Sequence, residues 1–168
     1  MQASHWDNMK SELIFRVEAP VDPSMPSFTV GDAGQGDPEE LQRLLREIPS
    51  TGAVFNWVPE HSALWVNTSE NPGVWLTVEV WGGPPPQEST VTWQVESSTV
   101  WNRVEELAVS ETGTGRWPLA EVTFNWLPSG PYTVRCRGFG RAEDPMMEIA
   151  DDGQDRYLLQ LWPVTTDS

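Results

Sequence analysis

Residues 119–163 are patterned as sheet almost from end to end, and that pattern constrains the fold more than any other feature of the chain. Val122, Phe124 and Trp126 share one parity while Glu121, Thr123 and Asn125 take the other, the alternation of a half-buried strand. Leu127, Pro128, Ser129, Gly130 and Pro131 then form a turn, proline fixing φ and glycine free to make it positive. Tyr132, Val134 and Cys136 next alternate with Thr133, Arg135 and Arg137. After an acidic loop, residues 156–163 are the clearest strand in the chain, stopped by Pro163, which cannot continue a ladder. This stretch holds no catalytic motif.

The same alternation recurs upstream. Leu13, Phe15 and Val17 share a face in residues 12–18, followed by a loop over 19–25 that carries Pro20 and Pro23. Short strands are predicted at 28–30, 53–58 and 63–66. A firm one covers 74–81, with Val74, Leu76, Val78 and Val80 opposite Trp75, Thr77, Glu79 and Trp81. Gly82, Gly83 and Pro84 to Pro86 break the pattern. Val91, Trp93 and Val95 begin a further strand, and a less regular one falls near 104–109. One helix is predicted at about 38–48. Asp37 caps it, Pro38 takes the first helical position, and Leu41, Leu44, Leu45 and Ile48 make one apolar stripe. The fold expected is a mainly β, antiparallel β-sandwich of about eight or nine short strands with that one helix. A single domain over 1–168 is expected, with residues 1–10 as a mobile terminus.

Reactive chemistry is thinly supplied. The histidines are His5, in the terminal stretch, and His61, beside Glu60 in a loop; neither has zinc spacing or a nucleophile to serve. Cys136 is the single cysteine and sits at an apolar strand position, so it reads as a small core residue. Gly31, Gly34 and Gly36 are too irregularly spaced for a phosphate loop. Asp151, Asp152 and Asp155 lack the ligand alternation of a calcium loop. No catalytic residue, metal or cofactor is therefore assigned. No basic, apolar leader and no run of about 20 apolar residues is present, and a cytoplasmic location is the expectation.

A formal net charge of −15 in 168 residues repels nucleic acid and anionic membrane and attracts basic proteins at long range; solubility alone is the plainer use of such a charge. The loop between Arg141 and Arg156 concentrates Glu143, Asp144, Glu148, Asp151, Asp152 and Asp155 around Met146, Met147 and Ile149. Adaptable apolar side chains ringed by carboxylates suit the docking of a basic partner. The alternative packs the methionines on the rim of the sheets and leaves the acids to water. Trp75, Trp81 and Trp162 stand at the parity opposite the aliphatic residues of their strands. They are either core beneath a second layer or an exposed aromatic platform, with Trp81 and Trp162 as candidate anchors.

The order of elements from Gly52 to Pro163 resembles the competence protein J family. The likeness lies in Gly52 to Phe55, an aliphatic strand, Phe124 to Trp126, the Leu127–Tyr132 turn, Val134, Cys136, the acidic loop and Tyr157 to Leu161. That family includes a small acidic inhibitor of a DNA-entry nuclease. The resemblance implies a non-enzymatic inhibitor or immunity-type protein that binds a basic toxin or nuclease and blocks its active site. The partner-binding residues expected are Glu143, Asp144, Glu148, Asp151, Asp152, Asp155, Trp81 and Trp162. A carbohydrate-binding β-sandwich and a carboxylate-dependent hydrolase are the alternatives.

Overall fold

The computed structural model describes residues 11–21, 27–32, 53–58, 62–69, 73–87, 93–102, 104, 106–111, 127–128, 130–141 and 154–164. They form nine strands: β1 (Leu13–Val21), β2 (Ser27–Asp32), β3 (Phe55–Val58), β4 (Ala63–Asn67), β5 (Gly73–Trp81), β6 (Val95–Trp101), β7 (Leu107–Glu111), β8 (Tyr132–Phe139) and β9 (Gln154–Pro163). The strands make a five-stranded sheet in the order β1-β5-β9-β8-β6 and a four-stranded sheet in the order β3-β4-β2-β7. The protein is mainly β. The helix at 38–48, the strand at 121–126 and the terminus at 1–10 lie outside the described residues.

Parity in the sequence decides which side chains are interior. In β5, Val74, Leu76, Val78 and Val80 are buried; in β8, so are Tyr132, Val134 and Cys136; in β9, so are Tyr157, Leu159 and Leu161. The second sheet contributes Phe28, Val30, Leu64, Val66, Leu107 and Val109 to the same cluster. Fully burying one such aliphatic side chain is worth about 1.5–3 kcal/mol. The inner faces meet where Phe28 of β2 sets its ring edge-on to Tyr157 of β9 at 5.5 Å. They meet again where Trp57 of β3 stands edge-on to Trp101 of β6 at 6.1 Å and donates its indole N–H to Ser97 Oγ at 2.7 Å. Cys136 is buried as its parity implied, and burial pushes its thiol pKa up.

Two expectations are corrected. The ladder between β5 and β9 is parallel, from Gly73↔Gln154 to Val80↔Leu161, so the five-stranded sheet is not wholly antiparallel. Residues 82–153 separate these strands in sequence, ample length for a crossover, and alternation within a strand carries no mark of its neighbour's direction. The loop predicted over 19–25 begins later than expected, because β1 runs on through Pro20 to Val21. β1 lies at a sheet edge, where proline is tolerated because alternate N–H groups point away from the ladder.

The turn before β8 is latched. Tyr132 at the start of the strand donates its hydroxyl to Pro128 O at 2.5 Å, the arrangement of a tyrosine corner. At the other end of β8, Gly138 lies opposite Val95 on one side and Tyr157 on the other. A Cβ at this glycine would come within 2.9 Å of Tyr157 Cε1 and of Val95 Cγ2. The Tyr157 ring is fixed by hydrogen bonds at its hydroxyl and cannot yield. Gly138→Ala is expected to cost about 1–3 kcal/mol through overpacking, read as a lowered midpoint in urea unfolding; an unchanged midpoint would show that the ring moves freely.

Candidate functional site

The outward parity of the five-stranded sheet collects the polar and aromatic side chains that the core excludes. Register places Arg16, Glu79, Gln160 and Arg135 in one row across β1, β5, β9 and β8. Glu79, only 7% exposed, accepts hydrogen bonds on Oε1 from the Gln160 amide at 2.9 Å and from the Trp81 indole at 3.1 Å. Its other oxygen lies 4.0 Å from Arg16 Nε. Gln160 Oε1 in turn accepts from Arg135 Nε at 3.1 Å and Nη2 at 2.7 Å. Each buried polar group in this row is thus paired, as burial requires.

The guanidinium groups lie over aromatic rings. Arg135 stands 5.3 Å from the centroid of Trp162, and Arg137 stands 5.5 Å from that of Trp93, within the range of cation–π attraction. Burial and the neighbouring Arg137 together lower the pKa of Arg135. Arg137 Nε also lies 3.1 Å from Glu96 Oε2. Trp93 meets Phe139 edge-on at 5.3 Å. Trp75, Trp81 and Trp162 are each half-buried, neither core nor freely exposed. Trp81 and Trp162 directly follow Val80 and Leu161, the last pair of the β5–β9 ladder, so they occupy neighbouring positions on this face. Among the described residues, Arg16, Arg135, Arg137 and Arg156 on this face outnumber Glu18, Glu79 and Glu96.

Asp155 is brought somewhere else. It is fully buried at the start of β9, on the core side, and so offers no carboxylate to a partner. Its Oδ2 accepts from Ser69 N at 2.7 Å and from the Tyr157 hydroxyl at 2.7 Å, and its Oδ1 accepts from Ser69 Oγ. Arg141 Nη1 lies 4.0 Å from Oδ2, donates to Asn67 O at 2.8 Å and donates to the Tyr157 hydroxyl. The cluster ties the end of β4 in one sheet to β8 and β9 in the other. Burial first, and the Asp155 charge second, push the Tyr157 hydroxyl pKa up. Glu143, Asp144, Glu148, Asp151 and Asp152 lie outside the described residues, as do His5 and His61.

Chemically, the described face offers aromatic rings, guanidinium groups and a carboxylate joined by hydrogen bonds and cation–π contacts. Among the described residues no three His, Cys, Asp or Glu side chains gather where a metal ion could sit. No helix among them is long and apolar enough to cross a membrane.

These features define a two-sheet, mainly β protein with a polar and aromatic outer face on its larger sheet. Two solved structures share this fold. One is ComJ, inhibitor of the DNA-degrading activity of NucA, from Bacillus subtilis, with a TM-score of 0.55 and 14% identity over 92% of this chain and 99% of that one. The other is the protein of crocagin biosynthetic gene J, with a TM-score of 0.50 and 13% identity over 94% of this chain and 100% of the other. The likeness to competence protein J seen in the sequence is therefore also a likeness of fold. No protein-family model matches the chain, and no curated protein matches it by sequence.

Proposed function

We propose that this chain is a non-enzymatic, cytoplasmic inhibitor or immunity-type protein, a β-sandwich that binds a basic toxin or nuclease and blocks its active site. The observation that carries the reading is the likeness to ComJ, an inhibitor of a nuclease, which extends over nearly the whole of both chains. The formal net charge of −15 supports it, since such a field speeds encounter with a basic protein. Glu143, Asp144, Glu148, Asp151 and Asp152 would supply steering charge, and Trp81 and Trp162 would anchor the contact and slow release. Asp155 belongs to the fold and is not among the contacts.

The test is a titration of the nuclease or toxin encoded next to this gene with the purified protein. Stoichiometric loss of its activity is expected, with binding that weakens as salt rises. Neutralising the five loop carboxylates should lower the association rate at low salt by about tenfold or more, while Trp81→Ala and Trp162→Ala should mainly raise dissociation. Undiminished nuclease activity at excess inhibitor, together with no basic protein retained at low salt, would count against the reading. A second reading is favoured by the half-buried Trp75, Trp81 and Trp162 on one face: a module for sugar rings. Quenching of tryptophan fluorescence by a member of a glycan panel would select it.

A further inference from the structure

The arginines of the described strands are not equally neutralised. Arg16 lies 2.6 Å from Glu18 and 4.0 Å from Glu79, Arg137 lies 3.1 Å from Glu96, and Arg141 lies 4.0 Å from Asp155. Arg135 has no such counter-charge among the described residues; its partners are the neutral Gln160 amide and the Trp162 ring. The side chain is half-buried, and burial together with Arg137 disfavours its charge. Glu79 and Glu96 oppose that effect from further off. Both are already engaged, Glu79 by Gln160 and Trp81, and Glu96 by Arg137. Holding a half-buried cation without a paired anion lowers the stability of the isolated chain. A neutral side chain of similar length could bond Gln160 and cover Trp162 without that loss, so packing does not account for the charge.

The hydrogen bonds decide what kind of group would answer it. Gln160 Oε1 accepts from Nε and Nη2, the side edge of the guanidinium fork. The end of the fork, Nη1 and the second hydrogen of Nη2, is left over, and no nitrogen of Arg135 is among the buried atoms that lack a partner. Two parallel N–H groups match the two oxygens of a carboxylate. Ser98, exposed on β6, stands directly opposite Arg135 in the ladder and offers a hydroxyl from the adjacent strand. Arginine beside tryptophan is also the pairing most enriched among binding hot spots.

We propose that Arg135, backed by Trp162 and flanked by Ser98, receives a carboxylate side chain of the protein partner. This rests on the inhibitor reading and adds a specificity contact to it. A polyanion such as nucleic acid is repelled by the net charge of −15, whereas a single acid on an otherwise basic protein is carried in by that protein's own charge. The same guanidinium rejects a partner that sets a lysine or arginine at this point.

Two measurements test the proposal. In the first, the purified chain is titrated with sodium acetate in place of sodium chloride at constant ionic strength, and arginine side-chain NMR signals are followed. The Arg135 Nε–H signal, assigned by its loss in Arg135→Lys, is expected to shift and saturate with a dissociation constant of about 10–100 mM, the affinity of one charge-assisted pair. A shift that never saturates, or inorganic phosphate binding more tightly than acetate, overturns the proposal. In the second, the nuclease or toxin encoded next to this gene is titrated with the wild type, Arg135→Gln and Arg135→Lys, each first shown to be folded by its urea midpoint. Arg135→Gln should weaken inhibition by about ten- to hundredfold, and Arg135→Lys, which keeps the charge but loses the fork, by less. The sign is diagnostic, because deleting a cation that merely faced a basic protein would tighten binding. Inhibition by Arg135→Gln that is unchanged or tighter overturns the proposal. A wild type that leaves the enzyme untouched defeats the inhibitor reading instead, and the acetate titration alone then decides the Arg135 site.

Discussion

Asp155→Ala is expected to lower unfolding stability by about 3–5 kcal/mol, the usual result of removing one member of a buried charged cluster. The carboxylate is fully buried and accepts from Ser69 N, Ser69 Oγ and the Tyr157 hydroxyl. Without it, those donors lose their acceptor and the Arg141 guanidinium loses a counter-charge 4.0 Å away, where little water reaches them, and each buried orphan is costly. Ser69→Ala removes a single hydroxyl from the same cluster and should cost only about 1 kcal/mol. Urea unfolding followed by tryptophan fluorescence provides the measurement. A loss under about 1 kcal/mol for Asp155→Ala would mean that the cluster does not hold the two sheets together.

A second large effect should appear at alkaline pH. Tyr157 and Cys136 are buried in neutral form, and burial raises both pKa values above their ordinary 10.0 and 9.0. Tyr132 moves in the same direction for the same reason. A group whose folded pKa is raised holds its proton in the native chain after the unfolded chain has lost it. These groups therefore leave stability unchanged below pH 9. As pH rises through 9 and then 10, the unfolded state is favoured by about 1.4 kcal/mol per pH unit for each group that would otherwise ionise. Urea midpoints measured from neutral pH to about pH 11 should fall, beginning with Cys136 and steepening as Tyr157 joins. A flat profile would show that these groups titrate freely in the folded protein.

Much of the architecture is legible in the sequence because period-two alternation in β5, β8 and β9 follows from burial on one face. Val74 to Val80, Tyr132 to Cys136 and Tyr157 to Leu161 all lie inward at the parity they display. β6 is harder to read. Its Ser97, Ser98 and Thr99 carry little hydropathy contrast, since both faces of an edge strand remain partly wet. Pairing partners are not local information, so the parallel β5–β9 ladder could not be read from either strand.

The site is legible in part. The outward parity of Trp75, Trp81 and Trp162 is correct, but the sequence could not choose between core and platform, and the structure leaves each half-buried. Asp155 is the instructive case. Its parity is that of Tyr157, Leu159 and Leu161, so a strand starting at Gln154 places it inward. Beginning the strand at Arg156 left it among the loop carboxylates instead. A boundary shift of two residues turned a buried acceptor into a supposed surface charge. The Glu79–Gln160–Arg135 row was also missed; Glu79 stands opposite Gln160, and Arg135 opposite Gln160, only once the register is known.

The position of β9 has a temporal consequence. It joins β5 on one side and β8 on the other, near the middle of the larger sheet, yet it is the last of the described strands in chain order. While the polypeptide leaves the ribosome, β1 with β5 and β6 with β8 can form as separate pairs, but among the described strands none joins them until residues 154–163 emerge. Contacts this distant in sequence close slowly. The larger sheet must therefore wait for residues 154–163 to emerge, and a nascent chain interrupted earlier exposes two unfilled strand edges to the cell's chaperones and proteases.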